Sequence, residues 1–255
     1  MEQQRLGVSV KILHLLERIF RNCSFTIRTG LAKGLRRYYG FGFRPKFLLT
    51  DEERFLLGLD FYGQTVFDIG GYIGIYALFF ARAVGSLGRV ITFEPNPANY
   101  QELLRNLQLN KFSNVTALPL GVGRRCEQVD LIINPLYPSR GFVAEAQPQN
   151  AIQKKYSQTV PIKIITLDSL MQTKSLPSPD FIKIDVEGLE LDVLHGMTEV
   201  LHAYKPRLFI EFHYKIPDLI HFLLNKKYTI YCVQSANKIT RQHISVMNWG
   251  HLFCE

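Results

Sequence analysis

Short apolar runs alternate along this chain with longer segments whose apolar positions recur every three or four residues. Residues 65–69, 89–93, 115–120, 181–184, 207–212 and 228–233 read as strands, and residues 74–84, 97–110, 187–204 and 217–225 between them as helices. Strands alternating with helices in this way predict a parallel sheet covered on both faces. Residues 121–167 interrupt the rhythm. Strand-like runs at 129–133 and 160–165 flank a polar, Pro-containing stretch, which reads as an insertion, and a last strand is expected around 243–247. In such a sheet ligands sit beyond the carboxyl ends of the strands, so residues just after strands carry the functional weight.

Upstream, residues 8–20 present Ile12, Leu13, Leu15, Leu16, Ile19 and Phe20 at helical spacing, and several glycines with Pro45 then break the chain. Thr50 before Asp51, Glu52 and Glu53 marks the start of a further helix, with acidic groups near the positive end of its dipole. The chain therefore divides into a basic helical N-terminal extension, residues 1–49, and a domain over residues 50–255.

Composition sharpens this division. The 255 residues are 47% apolar and 20% charged, as in soluble globular proteins, which excludes disordered and collagen-like classes. The formal charge of +8 is concentrated in residues 1–50, which hold ten Lys/Arg against Glu2 and Glu17, so the domain behind them is neutral. Such a basic arm suits an anionic partner, and its apolar face suits a membrane surface; a solvated basic face packed on the domain is the plainer alternative. Lys11, His14, Glu17 and Arg18 exclude a spanning helix or signal-peptide core there. The four cysteines are scattered without C-x-x-C spacing, so no metal or redox motif is indicated, and a cytoplasmic protein, possible membrane association aside, is expected.

The first strand of the alternation ends in Asp68-Ile69-Gly70-Gly71-Tyr72-Ile73-Gly74, and the next in Phe93-Glu94-Pro95. A glycine turn lets backbone approach a ligand, and an acid ending the neighbouring strand accepts hydrogen bonds from ribose hydroxyls, so this pair reads as a nucleoside site. The dinucleotide fingerprint fails, because Tyr72 and Ile75 stand where its second and third glycines belong. Asp68 before the loop favours a cationic ligand, an ammonium or sulfonium, over a pyrophosphate. S-adenosylmethionine carries both cations.

A second constellation lies in Phe181-Ile182-Lys183-Ile184-Asp185-Val186-Glu187-Gly188-Leu189-Glu190, followed by the strand that carries Glu211 and runs into His213. Lys183 falls in a strand buried on both faces and must be paired with a carboxylate. Asp185 and Glu211 end consecutive strands and converge on the edge that carries Asp68.

These segments together resemble the FkbM family of S-adenosylmethionine-dependent methyltransferases. The matching pieces are VFDIGGYIGIY (66–76), FEPNP (93–97), LQLN (107–110), TLDSL (166–170), FIKIDVEGLELDVLHG (181–196) and PRLFIEFH (206–213). The family usually carries Ala-Asn where this chain has Gly71-Tyr72. The resemblance implies an α/β, Rossmann-like class I methyltransferase fold: a mostly parallel seven-stranded sheet with helices on both faces and a final antiparallel strand. It also implies methyl transfer to a hydroxyl of a sugar, glycolipid or secondary metabolite. Asp68, Gly70, Gly71, Tyr72, Gly74, Glu94 and Asn110 are then expected at the cofactor. Asp185 is the first candidate base, His213 the second, with Lys183 beside them, and Glu187 and Glu211 are expected at the acceptor. The plainer role of Glu187 and Glu190, which open a helix, is to complement its dipole. A divalent ion on Asp185, Glu187, Glu211 and His213 is conceivable, but no spacing demands it, and no metal is expected.

Two alternatives carry different functions. Asp130 to Tyr137 resembles the strand-plus-NPPY signature of amino-group methyltransferases, which with the basic arm would suit nucleic acid or protein, although Leu136 replaces the second Pro and the Lys183–Glu190 run stays unexplained. In the preferred reading that segment belongs to the insertion, and Tyr137, Arg140 and Phe142 become acceptor contacts, the Arg suiting a phosphate or carboxylate; nucleic acid is then not the expected partner. In the other alternative Tyr72 blocks the loop and leaves a non-catalytic binding domain.

Overall fold

The computed structural model describes residues 22–38, 48–133, 158–173, 176–212, 216–240 and 250–255, and the backbone of 141–143. Strands β1 (Ser24–Thr26) and β2 (Arg36–Tyr38) pair antiparallel. The described part of the extension is thus a hairpin and not a helix; the expected helix over 8–20 lies outside the described residues. Helix α1 (Asp51–Leu57) starts where Thr50 and its acidic followers predict, and the Glu53 carboxylate accepts the Thr50 N–H at 3.1 Å.

The alternation then follows: β3 (Thr65–Ile69), α2 (Ile75–Ala83), β4 (Arg89–Phe93), α3 (Pro97–Asn110) and β5 (Val115–Leu118). Next come β6 (Gly121–Val122), β7 (Glu127–Ile133), β8 (Gly141–Val143), β9 (Gln158–Ile165) and α4 (Leu167–Thr173). The chain closes with β10 (Phe181–Ile184), α5 (Glu190–His195), α6 (Thr198–Tyr204), β11 (Arg207–Phe212), α7 (Ile216–Asn225), β12 (Ile230–Cys232), β13 (Lys238–Ile239) and β14 (Gly250–Cys254).

Among the described residues the main sheet has eight strands in the order β13-β12-β14-β11-β10-β3-β4-β5, one more than expected, because the two-residue β13 folds back on β12. The run from β11 to β5 is parallel, and β14 inserts antiparallel between β11 and β12. The expected strand at 243–247 lies outside the described residues, and the antiparallel strand is β14. From β3 the chain winds outward through β4 to β5, and from β10 outward the other way to β11. The β3–β10 boundary is therefore the topological switch point.

The pleat sends alternate residues to two cores. Phe67, Ile69, Ile182, Ile184, Leu208 and Ile210 pack under α5, α6 and α7, while Val66, Val90, Phe181 and Phe209 pack under α1 and α2 with Phe61, Phe79 and Phe80. The expected helix over 187–204 is two helices. The Asp168 carboxylate accepts the N–H groups of Glu199 and Val200 (3.1 and 3.0 Å), and Gly196 O accepts the Asp168 N–H, so a new helix starts at Thr198. The insertion forms a second sheet, β6-β9-β7-β8, with Leu131, Ile162 and Ile164 buried between it and the strand ends.

Candidate functional site

A cavity of about 200 Å³ opens at the carboxyl edge, beside the switch point. Gly70 and Tyr72 line it from β3, Glu94, Pro95, Asn96 and Asn99 from β4 and α3, and Asp185, Val186, Glu187 and Leu189 from the loop after β10. Leu131, Ile162 and Ile164 of the second sheet and Leu120 to Val122 form its apolar wall.

The glycine loop is held from behind by backbone. The N–H groups of Gly70 and Gly71 both donate to Phe93 O (3.0 and 2.9 Å). At Gly70 φ is +86° and a Cβ would stand 1.8 Å from the Asp185 carbonyl oxygen, so only glycine lets the loops after β3 and β10 meet. A Cβ at residue 71 would stand 2.2 Å from Thr92 Oγ1. Thr92 thus occupies the space that an alanine there would need. Tyr72 and Glu187, from the two facing loops, both adopt left-handed backbone (φ 47° and 52°), a conformation that bulky residues keep only where their surroundings impose it.

Glu94 is the best-defined polar group of the cavity. Its Oε2 accepts the Tyr72 N–H at 2.8 Å, and its Oε1 accepts the Asn96 N–H at 2.9 Å and Asn99 Nδ2 at 3.4 Å. Burial nevertheless pushes its carboxyl up to about 7, against those hydrogen bonds and the Lys183 charge. Asn99 is also buried, and its Oδ1 has no hydrogen-bond partner among the described residues. Two adjacent acceptors, one of them orphaned, match the donor pair of a ribose diol.

Beneath the loop runs a buried charged row dictated by the register. Lys183 lies level with Asp68, and Asp68 with Thr92, all on the α2 face. Lys183 Nζ donates to Gly70 O (3.0 Å) and lies 3.4 Å from Asp68 Oδ1, 3.3 Å from Asp185 Oδ2 and 4.5 Å from the centre of the Tyr76 ring. Burial works against its charge, but the Asp185, Asp68 and Glu211 carboxylates outweigh it and hold the ammonium above the ordinary lysine range. The Thr92 hydroxyl donates to Asp68 Oδ2 at 3.1 Å. One pleat further on, Glu211 lies level with His251, whose Nε2 is 3.6 Å from Glu211 Oε2. Gln234 Oε1 accepts the His251 N–H, which turns its Nε2 toward His251 Nδ1 at 2.7 Å and leaves the ring proton on the nitrogen facing Glu211.

The sequence expectations separate accordingly. Gly70, Tyr72, Glu94, Asp185 and Glu187 meet at the cavity. Gly71 and Gly74 shape the loop behind it, and Asp68 and Lys183 form the support beneath. Asp68 is completely buried and paired, so it does not face the cavity as a free counter-charge. Glu211 is engaged with His251 and is not among the cavity-lining residues. Asn110 is a correction: its amide accepts the Arg36 N–H (2.8 Å) and donates to Arg36 O (2.6 Å), so it fastens the hairpin at the far end of α3. His213, Tyr137, Arg140, the Asn134 to Tyr137 segment and the Phe142 side chain lie outside the described residues. Glu190 is buried, and its Oε1 accepts the Gly188 N–H at 2.9 Å. Among the described residues no group of three or more His, Cys, Asp or Glu is arranged to hold a metal, and no helix is long and apolar enough to cross a membrane. Sequence reasoning missed Asn99, Asn106 and His251. The only signal for the first two was a polar residue inside the buried stripe of an amphipathic helix.

Residues 68–230 match the methyltransferase FkbM domain. Methyltransferase 1 of Beauveria bassiana is 28% identical over 147 residues, 52% of this chain and 58% of the relative. Hexuronic acid methyltransferase AglP of Haloferax volcanii is 30% identical over 140 residues, 55% of this chain and 52% of the relative. The matches thus span little more than half the length of these curated relatives. The crystal structure of the methyltransferase FkbM from Methylobacillus flagellatus KT superposes with a TM-score of 0.52 at 21% identity, over 77% of this chain and 44% of that one, and shares the Rossmann-like fold.

Proposed function

Because the chain belongs to the FkbM methyltransferase family, we propose that it transfers the methyl group of S-adenosylmethionine to a hydroxyl of a sugar, glycolipid or secondary metabolite. The observation that carries this reading is Glu94, a buried carboxylate just after β4, lining the cavity across from Gly70 and beside the orphaned Asn99 Oδ1. Glu94 and Asn99 would hold the ribose hydroxyls, and the apolar wall of Leu120 and Val122 suits a purine. The acidic lining of Glu94, Asp185 and Glu187 favours a ligand with cationic groups. S-adenosylmethionine, when bound, would supply a methyl on a positively charged sulfur: the acceptor oxygen would form the new bond to that carbon as the S–CH3 bond breaks, and S-adenosylhomocysteine would leave with the electron pair.

The chain's own part is positioning and proton handling. Asp185 is the base that takes the acceptor hydroxyl proton on its carboxylate, and Lys183, 3.3 Å from Oδ2, holds that carboxylate in place by charge. Glu187, in strained backbone on the facing loop, is positioned to bind the acceptor. The relative AglP is named for methylation of a hexuronic acid, and this supports a sugar acceptor for this chain. The amino-group alternative rests on Asn134 to Tyr137, outside the described residues. Titration with S-adenosylhomocysteine, with NAD as control, tests the proposal: binding lost in Glu94→Ala supports it, and no binding moves the chain to the non-catalytic alternative.

A further inference from the structure

Helix α2 starts just after the glycine loop and α3 just after Glu94, and the hairpin β1–β2 is fastened to both. The Arg82 guanidinium of α2 donates to Leu31 O and Lys33 O (2.8 and 2.6 Å) in the hairpin turn. Asn110 of α3 holds both main-chain groups of Arg36. Leu31 and Ala32 are buried in the cores beneath.

One further side chain reaches from the hairpin to the cavity loop. Asn106, buried in α3, accepts the Tyr38 N–H on Oδ1 at 2.9 Å and donates through Nδ2 to Ile73 O at 2.9 Å. Ile73 belongs to the turn that the Gly74 N–H closes on Gly71 O at 2.8 Å. Tyr72, inside that turn, keeps left-handed backbone, which persists only where the surroundings over-determine it. Two side chains do so: Glu94 accepts the Tyr72 N–H, and Asn106 fixes the carbonyl of the next residue. A carboxamide has one accepting end and one donating end, and here the first is satisfied by the hairpin and the second by the loop. If the hairpin withdrew, Asn106 Oδ1 would lose its donor in a buried site, and the side chain would turn to satisfy it at the expense of Ile73 O.

We propose that Asn106 is a positioning residue that couples the hairpin of residues 24–38 to the cofactor site. The docked hairpin holds the Gly71–Gly74 turn in its binding geometry, and bound cofactor in return tightens the hairpin, because linkage is reciprocal. The inference rests on the cavity being the cofactor site. It gives the N-terminal extension, which precedes the family match over 68–230, a means of setting affinity without touching the ligand.

The test is a double-mutant cycle read by calorimetric titration with S-adenosylhomocysteine. Arg82→Met releases the hairpin turn from α2, and Asn106→Leu cuts the link to Ile73 O. The two side chains bond different groups, so independent effects would add. Asn106→Leu is expected to weaken binding about tenfold and Arg82→Met about fivefold, while Arg82→Met adds nothing in the Asn106→Leu background. Asp168→Asn, which loosens the start of α6 instead, is expected to lower the melting temperature and leave affinity unchanged. Wild-type affinity in Asn106→Leu, losses that add, or an equal loss in Asp168→Asn would overturn the inference. Should the wild type bind no S-adenosylhomocysteine, the cofactor reading fails separately. Amide exchange at Gly74 then decides: faster exchange in Arg82→Met upholds the link through Asn106, and equal exchange refutes it.

Discussion

Glu94 makes the affinity for S-adenosylhomocysteine depend on pH, with a sign and size that follow from its surroundings. Burial pushes its carboxyl up to about 7, and ribose hydroxyls need the ionised form as acceptor. Apparent affinity then scales with the ionised fraction, about 0.9 at pH 8 and 0.1 at pH 6, so binding should weaken about tenfold across that range. Glu94→Gln keeps the shape but not the charge. It should bind about one to two orders of magnitude more weakly at pH 8, as expected for loss of charge-assisted hydrogen bonds worth about 1.5–3 kcal/mol, and its affinity should be flat with pH. Calorimetry near pH 7 in buffers of different ionisation enthalpy should also show release of about half a proton per binding event in the wild type and none in the variant. Folding has the opposite preference. Because the folded value is raised above the ordinary 4.5, this group's contribution to stability is full below about pH 4.5 and is lost as the pH climbs to about 7, a change of up to about 3 kcal/mol. A wild-type affinity independent of pH, or an equal slope in Glu94→Gln, would refute the assignment of this carboxylate to the ribose.

Lys183→Met should lower unfolding free energy by about 3–5 kcal/mol in denaturant titrations, because Asp68 is left charged and buried; a variant as stable as wild type would mean that the pair is not ionised. Asp185→Asn should leave S-adenosylhomocysteine binding within a few-fold of wild type and cut turnover about 10²–10⁴-fold once an acceptor is in hand, and undiminished turnover removes it as base. Gly70→Ala should abolish cofactor binding, since its Cβ would overlap the Asp185 carbonyl; retained affinity would show that the two loops can separate at little cost. Asn99→Leu removes an orphaned acceptor and fills space beside Glu94, so weaker binding with unchanged melting is expected by calorimetry and thermal scan.

Much of this protein is legible in its local sequence. Strands β3, β4, β10 and β11 and helix α3 begin and end where the apolar periodicity and the flanking turn residues place them, because each is buried enough for its pattern to dominate. The glycine loop, Glu94, and Asp185 with Glu187 follow from the same reading, since strand ends in a parallel sheet are functional by topology. Pairing beyond the neighbouring element is another matter. Strand β14 inserts between β11 and β12, and so brings His251 to Glu211 from the end of the chain, a contact that no local pattern encodes. Asn110 looks like a helix-end residue near a cofactor motif, yet it serves the hairpin, because a helix of this length carries its two ends to opposite edges of the sheet. Lys183 had to be paired, as burial of an ammonium requires, but only register placed Asp68 beside it. The extension shows the division most clearly: its charge is written in the sequence, whereas the burial of Arg37 and the hold of Asn106 and Asn110 on the hairpin backbone exist only in the folded chain.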